Sequence, residues 1–269
     1  MGRVTNRICE GRFQLDDEEF QLVCNDGQNH LHGGLKNFSK VVWNGEIKDS
    51  KVELIYISPD GDENYPGEVT ATVTFQLTND NELILDYTAT TTKATPINLT
   101  NHAYFNLEGQ GSPDLYNHVL TINADNYTVQ DKQFIPTGEI ATVNGTVYDF
   151  RKPVRLGDRL KDIDDGLGLT INYCIGENGK MKKCARLEHP PSGRVMEVYT
   201  TEPGLQSYTS YFLDNLKGKG GAIYKQFSAI CLETQHYADS VNHDNFPATI
   251  LRPGETYRQT SIYKFKTAT

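Results

Sequence analysis

The chain has 269 residues, 26 Lys and Arg against 35 Asp and Glu, and a formal net charge of −9 at pH 7. That length suits one large all-β domain or two ordinary ones, and it buries a core without help from disulfides or metals. The acidic balance lacks the basic footprint that a nucleic-acid binder needs, and the concentrated basic stretches, Lys180-Met181-Lys182-Lys183 and Lys217-Gly218-Lys219, are short and loop-like.

In chain order, the first patterned segment is Gly2-Arg3-Val4-Thr5-Asn6-Arg7-Ile8. Asn29-His30-Leu31-His32-Gly33-Gly34 follows and reads as turn and short strand. Val52, Leu54 and Tyr56 alternate as one face of a strand. Val69, Ala71, Val73, Phe75 and Leu77 then line one face, with Thr70, Thr72, Thr74 and Gln76 on the other. After the turn residues Thr78-Asn79-Asp80-Asn81, the alternation resumes at Leu83, Leu85, Tyr87 and Ala89. This is a β-hairpin with one buried face. Further strands are expected over 119–122, 184–187, 195–200, 228–235 and 260–265, with Pro253-Gly254 making the tight turn before the last. Only 156–163 reads as a helical turn or two. No repeat, low-complexity tract or linker divides the chain. The expected fold class is all-β, a large antiparallel β-sandwich forming a single domain over 1–269.

The five cysteines, Cys9, Cys24, Cys174, Cys184 and Cys231, are odd in number and lack metal-ligand spacing, so no disulfide framework or metal centre is expected. The N-terminus carries no apolar signal core, and no apolar run reaches the length of a membrane span. A cytoplasmic protein with no membrane partner is expected, with monomer favoured as its oligomeric state. The chain holds 15 Tyr and one Trp. Tyrosines suit half-buried strands and sugar-binding clefts alike. Trp43 fits a core position or a platform for a sugar face.

Three segments concentrate chemistry. Glu233 lies in the strand expected over 228–235, whose two faces are both fairly apolar up to that point, which places the strand centrally and the carboxyl on a partly buried surface. It reads as a general base facing a cleft or as a carboxylate paired with a structural arginine. His102, within Thr100-Asn101-His102-Ala103-Tyr104-Phe105-Asn106, reads as a proton donor near neutral pH or as a core histidine satisfied by backbone. His30 and His32 share a face if extended, yet no third metal ligand is evident nearby. Gly33 and Gly34 allow backbone to approach a small ligand closely. Arg7 on spacing alone is an ordinary exposed arginine. No phosphate-binding glycine loop, nucleophile elbow, Cys-X-X-Cys pair or His-Glu-X-X-His occurs, which removes most cofactor enzymes and metalloproteases.

Taken in order, these motifs resemble the aldose 1-epimerases, or galactose mutarotases. Gly2 to Ile8 is similar to the family's GRVANRI. His30-Leu31-His32-Gly33-Gly34 with Trp43 is similar to its LHGG…W. Thr95-Pro96-Ile97-Asn98-Leu99-Thr100-Asn101-His102-Ala103-Tyr104-Phe105-Asn106-Leu107 is nearly its TPVNLTNHSYFNL. Leu232-Glu233-Thr234-Gln235 and Leu251-Arg252-Pro253-Gly254-Glu255 are similar to its C-terminal block. The resemblance covers essentially the whole chain.

It implies a galactose mutarotase-like β-sandwich that interconverts the α and β anomers of an aldohexose such as galactose or glucose, without cofactor or metal. By the same resemblance Glu233 is the general base at the C1 hydroxyl and His102 the general acid at the ring oxygen. Asn6, Arg7, His32, Tyr104 and Gln206 are the sugar-binding residues. A non-catalytic sugar-binding or regulatory homologue of the same fold is the alternative. A phosphosugar epimerase would need an Arg or Lys cluster that the motifs lack.

Two departures from the family pattern stand out. Thr170 occupies the place of a family aspartate that contacts sugar hydroxyls, which is expected to alter affinity or sugar preference. The chain also starts at the GRVANRI-like motif, so it is expected to be N-terminally shortened. An exposed sheet edge with its apolar face, and a frayed segment around Arg7, are the expected consequences.

Overall fold

The computed structural model describes residues 1–268, which form strands and turns with one short α-helix among them, Leu156–Arg159. Two sheets dominate. The larger has nine strands, in spatial order Val154–Arg155, Val119–Ile122, Lys182–His189, Arg194–Thr200, Tyr257–Thr267, Glu82–Thr91, Val69–Leu77, Lys51–Ser58 and Asn44–Lys48. The smaller has five: Pro136–Thr142, Asn126–Gln130, Thr170–Cys174, Gly204–Tyr208 and Cys231–Gln235. Every pairing within the two sheets is antiparallel.

The hairpin expected from period-two alternation forms in register from Val69↔Thr91 to Leu77↔Leu83. Its β-branched residues suit a half-buried pleated surface. Val69 and Ala71 are fully buried beneath it. The core lies between the sheets. Val69, Leu85, Leu120 and Val198 come from the larger sheet and meet Ile171, Tyr173, Leu205 and Leu232 from the smaller. The smaller sheet covers only part of this apolar face. Beyond it, Ile47 is 80% exposed in the row that continues through Val52 and Phe75, and Leu77, on the same face two residues past Phe75, is 73% exposed.

Two expectations need correction. The strand carrying Glu233 lies at the edge of the smaller sheet, not at its centre. It is nonetheless buried along its whole length, because residues 97–106 run along its open side. Phe105 and Ile230 exchange backbone hydrogen bonds at 2.8 and 2.9 Å, Thr100 Oγ1 donates to the Thr234 carbonyl at 2.8 Å, and the His236 N–H donates to Asn98 Oδ1 at 3.1 Å. Satisfied backbone, not sheet centrality, permits the burial.

The segment before Arg7 is likewise held and not frayed. The Thr5 N–H donates to the Asn98 carbonyl at 2.8 Å, and the Asn98 N–H donates to the Arg3 carbonyl at 3.0 Å. The buried Arg3 guanidinium donates to Ser58 Oγ and to the carbonyls of Ser58, Pro59 and Pro66. The helical turns expected over 156–163 appear as Leu156–Arg159 followed by a 3₁₀ turn, Leu160–Asp162.

Candidate active site

The face of the smaller sheet that points away from the core is polar. Antiparallel partners share a face, so the register Asn172↔Gln206↔Glu233 sets three polar side chains in a row across three strands. The adjacent row is Thr170↔Tyr208↔Cys231. The segment covering the edge strand then brings His102 over Glu233, with Nε2 to Oε1 at 3.5 Å. The strand pairing Arg7↔Leu31 and Ile8↔His30 delivers Arg7 and His32 to the same place. The result is a cleft of about 300 Å³.

Every site residue expected from the sequence lines that cleft: Asn6, Arg7, His32, His102, Tyr104, Gln206 and Glu233. Thr170 also lines it, so the threonine that departs from the family pattern does face the same space. Met1, Leu31, Tyr208 and Phe212 complete the wall and were not singled out by the sequence. Tyr208 lies two residues beyond Gln206 on the same strand, so period two from Gln206 was the available signal.

Histidine roles separate cleanly. His30 does not reach the cleft. It is fully buried, donates from Nδ1 to the Val23 carbonyl at 2.6 Å and accepts from the Tyr65 hydroxyl at 2.7 Å. His32 accepts the Asn6 N–H at Nδ1, at 3.1 Å. Burial holds its pKa well below the usual value, so the ring is neutral. A neutral ring that accepts at Nδ1 carries its proton at Nε2, and that proton is left for a ligand.

Arg7 is aimed by a charge-assisted bond from Nε to Asp26 Oδ2 at 2.8 Å and by its stacking over Phe134, 5.1 Å from the ring centroid. Asp26 is a positioning residue that sequence reasoning missed, since nothing in a turn sequence marks a long-range partner. Gly33 and Gly34 serve the fold and not a ligand. A Cβ on Gly33, whose φ is +84°, would lie 2.0 Å from the Gly2 carbonyl oxygen, and one on Gly34 would lie 2.1 Å from a Glu63 carboxylate oxygen. Trp43 also lies away from the cleft, donating to the Phe38 carbonyl at 2.8 Å and packing against Phe38 and Tyr56.

The pair at the centre is electrostatically unusual. Burial raises the Glu233 carboxyl to about 8, since a desolvated carboxylate is costly. Burial likewise lowers His102 to about 4. No arginine pairs with Glu233, so the reading of it as a structural ion-pair partner is not met; among the described residues Oε2 has no hydrogen-bond partner, and neither has His102 Nδ1. Buried polar atoms left unpaired in this way mark a site that a ligand completes.

The model of the family described as aldose 1-epimerase matches residues 1–264. The chain belongs to the aldose 1-epimerase family. The galactose mutarotase of Mus musculus is 50% identical over 269 residues, covering 100% of this chain and 78% of the relative. The aldose 1-epimerase of Escherichia coli K12 is 36% identical, covering 98% of this chain and 78% of the relative. Among solved structures, an aldose epimerase homologue from C. elegans superposes with a TM-score of 0.93 at 32% identity, over 100% of this chain and 82% of that one. Aldose 1-epimerases are isomerases, and the galactose mutarotase-like β-sandwich expected from the sequence is the fold observed.

Proposed function

We propose that this aldose 1-epimerase interconverts the α and β anomers of a free aldohexose, galactose or glucose, with Glu233 and His102 exchanging the protons. The observation that carries the proposal is the unpaired Glu233 carboxyl standing 3.5 Å from the His102 ring inside a cleft lined by hydrogen-bonding groups.

Ring opening moves one proton from the C1 hydroxyl to the ring oxygen while the C1–O5 bond breaks and the C1–O1 bond becomes a carbonyl. Rotation about C1–C2 presents the other carbonyl face, and reclosure returns the proton. No electron acceptor, metal or covalent intermediate is needed. The requirement is an acid and a base that together hold one mobile proton.

In the free cleft that proton rests on Glu233, because burial favours two neutral groups over a carboxylate beside an imidazolium. A sugar C1 hydroxyl donating to the carboxyl supplies the hydrogen bond that Glu233 lacks, which favours the carboxylate. The mobile proton then moves to His102, which delivers it to the ring oxygen. Glu233 is thus the base and His102 the acid in the complex. Arg7, the His32 Nε2 proton, Asn6, Gln206 and Tyr104 hold the remaining hydroxyls and resist tumbling during rotation. Thr170 offers a neutral hydroxyl to the sugar, a weaker partner than a carboxylate.

The reading is completed by a cytoplasmic, monomeric protein acting on a soluble small molecule. Five free cysteines support a reducing compartment, and among the described residues no helix is long and apolar enough to cross a membrane. The test is polarimetry of fresh α-D-galactose. The wild-type protein is expected to accelerate mutarotation beyond the buffer rate, and folded protein that leaves the buffer rate unchanged would refute the proposal.

A further inference from the structure

Cys231 plays no part in the proton chemistry above, yet its position has chemical consequences. It sits two residues before Glu233 on one strand, so both side chains leave the same face. The Cys231 thiol, a Glu233 carboxylate oxygen and a His102 ring nitrogen all lie within 4.8 Å of one another. Tetrahedral zinc, with bonds of about 2.0–2.3 Å, separates its ligand atoms by about 3.3–3.7 Å. The His102 to Glu233 separation of 3.5 Å already falls in that range. The thiol, within 4.8 Å of both other ligand atoms, has at most about 1 Å to close to complete the triangle.

From this geometry we infer an inhibitory site for a thiophilic divalent cation such as Zn²⁺, ligated by His102, Cys231 and Glu233. A mixed nitrogen, sulfur and oxygen set suits zinc and excludes magnesium and calcium, which take oxygen ligands. A second observation points to a ligand here: Glu233 is 2% exposed, lines the cleft, and leaves Oε2 unpaired. The ion enters through the cleft and keeps its fourth position open toward it. Binding releases the thiol proton of Cys231, together with any proton on Glu233, to the buffer. It also takes up the lone pair and carboxylate that the sugar reaction uses, so the ion and the sugar exclude each other. Cation binding stands on the ligand geometry and the unpaired carboxylate oxygen, while the inhibition rests on the proposed sugar chemistry.

Cobalt(II) reports the site directly, because a thiolate ligand gives a charge-transfer absorption. Titration of the protein is expected to produce this band at one ion per chain. Cys231→Ser is expected to abolish it, and Glu233→Gln to weaken it although every cysteine remains. Zn²⁺ is expected to inhibit wild-type mutarotation reversibly, with recovery on chelation. Loss of an outer-shell partner alone costs about 10–100-fold in metal affinity, so Cys231→Ser should need at least about tenfold more Zn²⁺ for the same inhibition. Its metal-free rate should stay near wild type. A charge-transfer band that persists in Cys231→Ser, or equal Zn²⁺ sensitivity of the two proteins, would overturn the inference. A band of the expected behaviour in a protein without mutarotase activity would support the metal site while refuting the sugar reading.

Discussion

In the proposed mechanism Glu233 and His102 hold between them the one proton that the reaction moves, and burial sets the pH range over which they hold it. Above the Glu233 value of about 8 the pair loses that proton; below the His102 value of about 4 it gains a second. A plot of kcat/KM against pH is therefore expected to be bell-shaped with limbs near these values, reported as properties of the pair. Polarimetry in buffers matched for background catalysis would measure it, and a limb near 8 that survives in Glu233→Gln would contradict the assignment.

The same substitution should lower kcat by about 10²–10⁴-fold, the usual worth of a positioned acid–base group. It should also stabilise the fold. The folded-state pKa of Glu233 lies above its unfolded value, so its contribution to stability is full below the unfolded pKa and is lost as pH rises through about 8. Glutamine removes that loss. The variant's melting temperature should exceed wild type by a margin that widens from pH 5 to pH 8, by about 2–4 °C for each kcal/mol gained. Calorimetry showing a constant or narrowing margin would count against burial as the cause.

Asp26 offers a test of positioning. Its bond to Arg7 is charge-assisted, and the two side chains are only 14% and 37% exposed. Asp26→Asn should raise KM by up to about tenfold, or about 1.4 kcal/mol, with kcat little changed. A fall in kcat at constant KM would assign Asp26 a different role.

At the scale of elements, the Glu233–His102 pair depends on a seam between residues 97–106 and the strand Cys231–Gln235. Thr100→Val keeps the shape of the side chain but removes the donor to the buried Thr234 carbonyl. The carbonyl keeps its bond from Gln259 Nε2 at 3.0 Å, so the loss is that of one net hydrogen bond, about 0.5–1.5 kcal/mol. Since His102 is two residues along, kcat should fall together with stability, and a denaturation midpoint unchanged from wild type would show that the seam does not rest on this bond.

This seam also shows what the sequence could and could not say. The hairpin of Val69–Leu77 and Glu82–Thr91 was legible because one face is apolar and the other is threonine-rich. The strands Thr170–Cys174 and Gly204–Tyr208 were not marked as strands, since each is five residues long and carries cleft residues where outward polar residues would signal solvent. Glu233 was placed on a central strand because apolar residues on both faces look alike whether the cover is a neighbouring strand or a looping segment. The site residues were legible through their motifs. Asp26 was not, because it acts through Arg7 and touches the cleft only indirectly.

At the scale of the whole molecule, the inner face of the nine-stranded sheet extends past its cover. Ile47 and Leu77 present side chains at 80% and 73% exposure, on or near the sheet edge formed by Asn44–Lys48. Exposed apolar edge strands are predicted association sites on heating. Ile47→Lys combined with Leu77→Lys should raise the onset temperature of aggregation measured by light scattering, with mutarotation unchanged because neither residue lines the cleft. An unaltered onset would place the liability elsewhere.

The order of strands also sets a schedule for synthesis. Tyr257–Thr267, near the end of the chain, inserts between Arg194–Thr200 and Glu82–Thr91 in the middle of the larger sheet. Until it has left the ribosome, the two halves of that sheet have no partner to join them, and their facing edges stay open. The hairpin of Val69–Leu77 and Glu82–Thr91 therefore waits for a strand made much later in the chain. Closing contacts so distant in sequence is slow, and premature termination within that strand would leave two unpaired edges in the middle of the larger sheet.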